Sequence, residues 1–144
     1  MISKISLQET IQKTTSGEIS PVDLVEYSYE QIEKNNLSLN AIVSLKKKSL
    51  VIKEAESLLK KKHNEQKLLF GIPLAVKDLF DVKDLPTTFG LPRFKNNIAK
   101  KNSILVDRLL NQGVLILGKT NIPELALGSH TKNTLFGVTS NAFD

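Results

Sequence analysis

Apolar positions along the chain recur every three to four residues in some stretches, and alternate or run together in others. The spacing therefore predicts short helices interleaved with short strands. Ser6-Leu-Gln-Glu9 has the form of a capping box and opens a helix that ends near Ser16-Gly17. Ser20-Pro21, with Asp23 in the first turn, starts a second helix. Val22, Val25, Tyr29 and Ile32 share one face of it, and it is expected to stop around Asn35-Asn36. Asn40 to Leu45 is short, β-branched and bounded by polar residues, as a strand should be. Ser49 to Lys62 forms a third helix with Val51, Ala55, Leu58 and Leu59 inward and lysines in its last turn, and a polar loop from His63 to Gln66 follows. Ile72, Leu74 and Val76 alternate with Pro73, Ala75 and Lys77, which predicts a buried strand with one lysine at its end. A polar loop runs from Asp81 to Gly90. Ser103 caps a fourth helix with Val106, Leu109 and Leu110 inward, and Gly113 follows its end. Val114 to Leu117 is a continuous apolar run, suited to a strand buried on both faces. From Lys119 to Asp144 no period is visible.

This alternation argues a layered α/β fold with at least part of its sheet parallel. At 144 residues the chain suffices for one domain with a core, and a long aperiodic tail in such a domain is usually functional or incomplete. The net charge of +5 is carried mostly by lysine clusters at 46–48, 60–62 and 100–101. Without interleaved aromatics or Arg forks these describe a solvated surface better than a nucleic-acid site, so no nucleic-acid partner is expected. The absence of cysteine excludes disulfides and thiolate chemistry, and His63 and His130 match no metal spacing. No signal-peptide core or membrane-length segment is present, so no membrane partner and a cytoplasmic location are expected.

Among residues that could do chemistry, Lys77 stands out, because burying an ammonium is costly and a lysine brought near neutrality can move protons. On the Gly71–Asp78 octapeptide alone, a lysine that snorkels to solvent is the preferred reading. Asp78 and Asp81 could hold a hard cation, but two carboxylates without further ligands are better read as loop-capping groups. Glu124 suits the first turn of a short helix, and His130 suits a surface or loop hydrogen bond. No phosphate-binding glycine pattern is present.

Two longer strings change the weighting of Lys77. One is Gly71-Ile-Pro-Leu-Ala-Val-Lys-Asp-Leu-Phe-Asp-Val-Lys-Asp-Leu-Pro-Thr-Thr-Phe-Gly90. The other is Gly118-Lys-Thr-Asn-Ile-Pro-Glu-Leu-Ala-Leu-Gly-Ser129, continuing through Asn133, Phe136-Gly137 and Asn141 to Asp144. In this order and separation they resemble the amidase signature family over essentially the whole chain, but only over the N-terminal part of a typical member. The resemblance implies a fold in which residues 1–144 are the N-terminal portion of an amidase domain, a mixed sheet flanked by helices. It implies amide hydrolysis or transfer by a serine–serine–lysine triad, with the lysine on Lys77 as general base. It also implies that Ala126, Leu127, Gly128 and Ser129 line the acyl pocket, that a small amide is the substrate, and that no cofactor or metal is needed. The family's Gly/Ser-rich run, which supplies both serines and the oxyanion hole, is not present, and Ser16, Ser129 and Ser140 lie in the wrong context to replace it. Leu91 and Ala142-Phe143 are smaller departures. The expectation is an N-terminal, truncated portion that is inactive alone, exposes an incomplete sheet, and associates with itself or with a complementing C-terminal portion. The alternatives are a non-catalytic complementation or binding module, a basic nucleic-acid binder, and part of the A subunit of a glutamyl-tRNA amidotransferase.

Overall fold

The computed structural model describes residues 5–61 and 67–143. Helix α1 (Leu7–Ser16) opens on the expected capping box. The Glu9 N–H donates to Ser6 Oγ at 3.2 Å, and the Ser6 N–H donates to the Glu9 carboxylate at 3.0 Å. That backbone bond holds the Glu9 carboxyl below the usual range. Gly17, at φ 86°, closes the helix.

Helix α2 (Pro21–Leu39) starts at the Ser20 cap but runs past the expected stop. Asn36 is the reason. It stays helical and turns its side chain to the next strand, accepting from the Ala41 and Ile42 N–H groups at 3.0 and 2.7 Å and donating to the Ile42 carbonyl at 2.8 Å. The chain turns at Asn40 instead, at φ 50°. Strand β1 is therefore Ile42–Leu45, shorter than expected. Helix α3 spans Lys48–Lys60. Lys62 and the expected loop from His63 to Gln66 lie outside the described residues.

Strand β2 covers Pro73–Lys77, α4 covers Ile104–Asn111, and β3 covers Leu115–Thr120. The last differs from expectation by running on through Lys119, which the apolar pattern places in an aperiodic tail. A small hairpin, β4 (Lys132–Asn133) with β5 (Gly137–Val138), organises part of the rest.

The main sheet has the order β1-β3-β2, with β1 antiparallel and β2 parallel to the central strand. The mixed α/β architecture follows from the side chains of β3. Leu115 and Leu117 pack with Val25, Tyr29, Val51 and Ala55 from α2 and α3. Ile116 packs with Val76, Val82, Val106 and Val114 on the other face, where α4 lies. The sheet is thus covered on both faces, which is why β3 is so continuously apolar.

Each ladder slips once, β1–β3 between Ile42 and Ser44 and β2–β3 after Leu74. Leu74 pairs with Ile116, yet Ala75 pairs with Gly118, so Leu117 is an extra residue on β3. Strict alternation would put Lys119 on the face of Leu115 and Leu117. The slip moves it to the face of Val76, its ladder partner.

Candidate active site at the strand ends

The C-terminal ends of β2 and β3 lie side by side, with Lys77 paired to Thr120. Lys77 is the last residue of β2 and points away from the face of Val76. Its carbonyl accepts the Phe80 N–H at 3.1 Å. Its side chain is exposed and makes no ion pair or hydrogen bond among the described residues. The exposure agrees with the solvent-facing lysine preferred on the Gly71–Asp78 octapeptide alone, and the costly buried ammonium does not arise at this position. A strand's last residue loses its cover once the flanking chain turns off at Asp78.

The buried amine is Lys119, which the sequence pattern does not single out. Lys119 and Asp78 both have side chains at 0 % exposure, with Nζ 3.1 Å from Asp78 Oδ1. The Lys119 ammonium also donates to the Pro86 carbonyl at 3.2 Å and to Thr87 Oγ1 at 3.1 Å, which uses all three of its protons. Burial lowers the Lys119 pKa, and the Asp78 carboxylate opposes that shift. Asp78 accepts further bonds from the Thr88 N–H, at 3.1 and 3.2 Å to its two oxygens, and from the Thr88 hydroxyl. Its backbone is held too: its N–H donates to the Thr120 carbonyl at 3.1 Å, and its carbonyl accepts from Phe89 at 3.3 Å. Asp78 is thus a loop anchor, as expected of it, rather than half of a cation site with Asp81. No cluster of three His, Cys, Asp or Glu suited to a metal occurs among the described residues.

A second loop reaches the same end of the sheet. The Leu125 N–H donates to the Phe89 carbonyl at 2.8 Å, tying the loop after β3 to the loop after β2. Glu124 begins a single 3-10 turn, Glu124–Ala126, and its carboxylate accepts from the Thr134 N–H and hydroxyl at 3.2 and 3.0 Å. Leu125 and Ala126 both have positive φ, 53° and 63°. Two adjacent non-glycine residues in this region mark a backbone held there by its surroundings. Leu127 is 76 % exposed, Gly128 has φ 136°, and Ser129 Oγ lies 2.9 Å from His130 Nδ1, the local bond expected of that histidine.

The remaining tail is organised by amide side chains rather than by an apolar period. Asn133 donates to Asn121 Oδ1 at 2.6 Å and to the Ile122 carbonyl at 2.8 Å, and accepts from the Leu135 and Phe136 N–H groups. Asn121 reaches Thr139 at 3.0 Å, and Asn40 reaches the Phe136 carbonyl at 2.6 Å. A broad groove elsewhere, along the N-terminal half of β3, is lined by Leu45, Lys53, Leu58, Leu85 and Leu115. It includes neither Lys77 nor residues 126–129, so its size does not make it the place for the chemistry.

Lys119 carries two signals in the sequence. It follows directly on the most apolar run of the chain and its glycine, and Asp78, just after a buried strand, needs a counter-charge. The ladder slip that brings the two together leaves none.

The Amidase family model matches residues 23–144. An acylamidase of Rhodococcus erythropolis is 38% identical over 95% of this chain, and the A subunit of the human mitochondrial glutamyl-tRNA(Gln) amidotransferase is 36% identical over 94%. The crystal structure of a bacterial aryl acylamidase of the amidase signature family superposes with a TM-score of 0.87 at 30% identity, over 97% of this chain. The chain spans 29%, 26% and 30% of the lengths of these three proteins. No helix among the described residues is long and apolar enough to cross a membrane. Sequence and fold agree over nearly all of its residues, and the chain belongs to the amidase family.

Proposed function

We propose that residues 1–144 form the N-terminal part of an amidase domain that hydrolyses a carboxylic amide, and that Lys77 is its general base. One observation carries this reading: Lys77 stands at the end of a strand whose next residue is anchored, and its amine is uncommitted among the described residues. An amine on a fixed backbone, open to the face where a partner must sit, is what a serine hydroxyl needs if no histidine serves it. The serine nucleophile, the relay serine and the oxyanion hole would come from a segment outside these residues, packed against the open face around Lys77. Ala126, half-buried with its backbone at φ 63°, and the exposed Leu127, Gly128 and Ser129 would line the acyl pocket. The 144-residue chain alone should not hydrolyse amides, since a lysine without nucleophile and oxyanion donors cannot form an acyl-enzyme.

The test is single-turnover acylation by an amide in the enzyme completed with its serine-bearing segment. Lys77→Ala should lose about 10²–10⁴-fold in rate, the range of general-base contributions. Lys77→Arg should be nearly as inactive, because a guanidinium stays protonated. Near-normal acylation by Lys77→Arg would end the base assignment.

A second reading is favoured by the similarity to amidotransferase A subunits: the same chemistry would release ammonia from glutamine for transfer within a multi-subunit complex. Co-purification of the completed protein with further subunits, and glutamine-dependent amidation of a glutamyl-tRNA, would select it.

A further inference from the structure

We propose that Asp78 and Lys119 form a positioning pair that sets where the Lys77 amine points. This rests on the reading of Lys77 as the base and adds to it the device that holds it. The pair lies on the opposite face of the strands from the Lys77 side chain, because Asp78 is the next residue along and Lys119 is the ladder partner of Val76. It touches no substrate and acts only through the backbone. Asp78 is tied at its N–H, its carbonyl and both carboxylate oxygens, to Thr120, Phe89, Thr88 and Lys119. Lys119 extends the same lock to Pro86 and Thr87. Every polar group of the pair is satisfied, and no buried side-chain nitrogen or oxygen among the described residues lacks a partner. The lock thus pins the loop of residues 78–90 to the end of the β2–β3 pair, and the Lys77 Cα–Cβ vector is fixed as a consequence. A surface lysine needs no such fixing. A base that must meet a hydroxyl within hydrogen-bond reach does.

The test compares Lys119→Met, Asp78→Asn and the double variant, which keeps the shapes and removes both charges. In the chain itself, amide hydrogen exchange at Asp78, Thr88 and Phe89 and ¹³Cε relaxation of Lys77 report the lock directly. Each single variant should speed exchange at these amides and loosen Lys77, while exchange in α2 and α3 stays as it is. The double variant should keep the fold yet leave Lys77 loose. In the completed enzyme, acylation should fall by about 10²-fold with KM unchanged, the scale of an ångström-sized misplacement of a catalytic group. If the folded double variant keeps native Lys77 relaxation and a native acylation rate while Lys77→Ala is inactive, the positioning role is wrong and the base assignment stands. If Lys77→Ala itself remains active, the base assignment fails first and the pair is only structural.

Discussion

Gly118→Ala should be among the most damaging single-methyl changes available in this chain. A Cβ at this position would sit 2.2 Å from the Ser44 carbonyl oxygen and 3.0 Å from Leu45 Cα. Both obstacles are backbone of β1, so no rotamer change relieves them. Either β1 moves as a unit or the ladder pairs Ile42 with Thr120, Ser44 with Lys119 and Leu45 with Gly118 are lost. Overpacking commonly costs about 1–3 kcal/mol, and a rigid backbone obstacle argues for about 3 kcal/mol here. With a urea m-value of about 1–3 kcal/mol/M, the midpoint should fall by at least about 1 M at unchanged m. Leu45→Ala is the control, since it trims a 41 % exposed side chain from the same strand without crowding it, and it should cost well under half as much. A Gly118→Ala midpoint within about 0.3 M of the parent's would show that β1 yields easily. In that case the close β1–β3 packing would not constrain the strand that carries Lys119.

Two further outcomes follow from buried polar groups. The Tyr29 hydroxyl donates to the Lys46 carbonyl at 2.7 Å, and burial pushes its pKa up to about 12, with Glu54 adding to the shift. The folded state therefore holds the phenol proton where the unfolded chain has released it. Stability from this source is complete below pH 10 and is lost as pH rises toward 12, by about 2–3 kcal/mol in total. Tyr29→Phe should flatten that alkaline limb in pH-dependent urea melts and lower stability near neutrality by about 1 kcal/mol; an unchanged limb would assign it to another group. Asn36→Ala should cost about 2–3 kcal/mol and expose the Ala41 and Ile42 amides to hydrogen exchange, because it leaves two N–H groups without their acceptor. Slow exchange at both amides in that variant would refute the bracing role.

The apolar period made much of the layering legible. The faces built on Val25 and Tyr29, on Val51 and Ala55, and on Val106 with Leu109 and Leu110 all pack as their spacing predicts. The helix starts at Ser6, Ser20 and Ser103 were equally readable, because a cap is a local bond between residues two or three positions apart. The illegible parts have other causes. The extension of β3 through Lys119 and the order in the Asn-rich tail are decided by partners far away in sequence, and the end of α2 by Asn36 side-chain bonds to Ala41 and Ile42 that no apolar period signals. Asn40 turns the chain while its side chain reaches Phe136, and Lys119 lies at the end of β3 against Asp78, which follows the end of the neighbouring strand β2. Local composition labels such segments polar and stops there. Of the candidate site, the position of Lys77 at its strand end and its solvent-facing side chain were legible, and the buried pairing of Lys119 with Asp78 was not, since that depends on the register of two strands distant in sequence.

Lys77 and Lys119 stand near the same strand ends and have opposite surroundings, and the reason is a count of one residue. With a regular ladder, Lys119 would share the face of Leu115 and Leu117 and turn from Asp78. The buried carboxylate would then lack its cation, a situation that costs about 3–5 kcal/mol when one partner of such a pair is removed. The extra residue at Leu117 exchanges the faces, so Lys119 meets Asp78 while Lys77 is left on the other side. Both Asp78 oxygens are then turned to Lys119 and Thr88, and the carboxylate next to Lys77 in sequence is not its partner in space. The irregularity thus places the two lysine side chains on opposite faces. Lys119 is consumed in holding the strand end together, and the Lys77 side chain is left exposed on the other side.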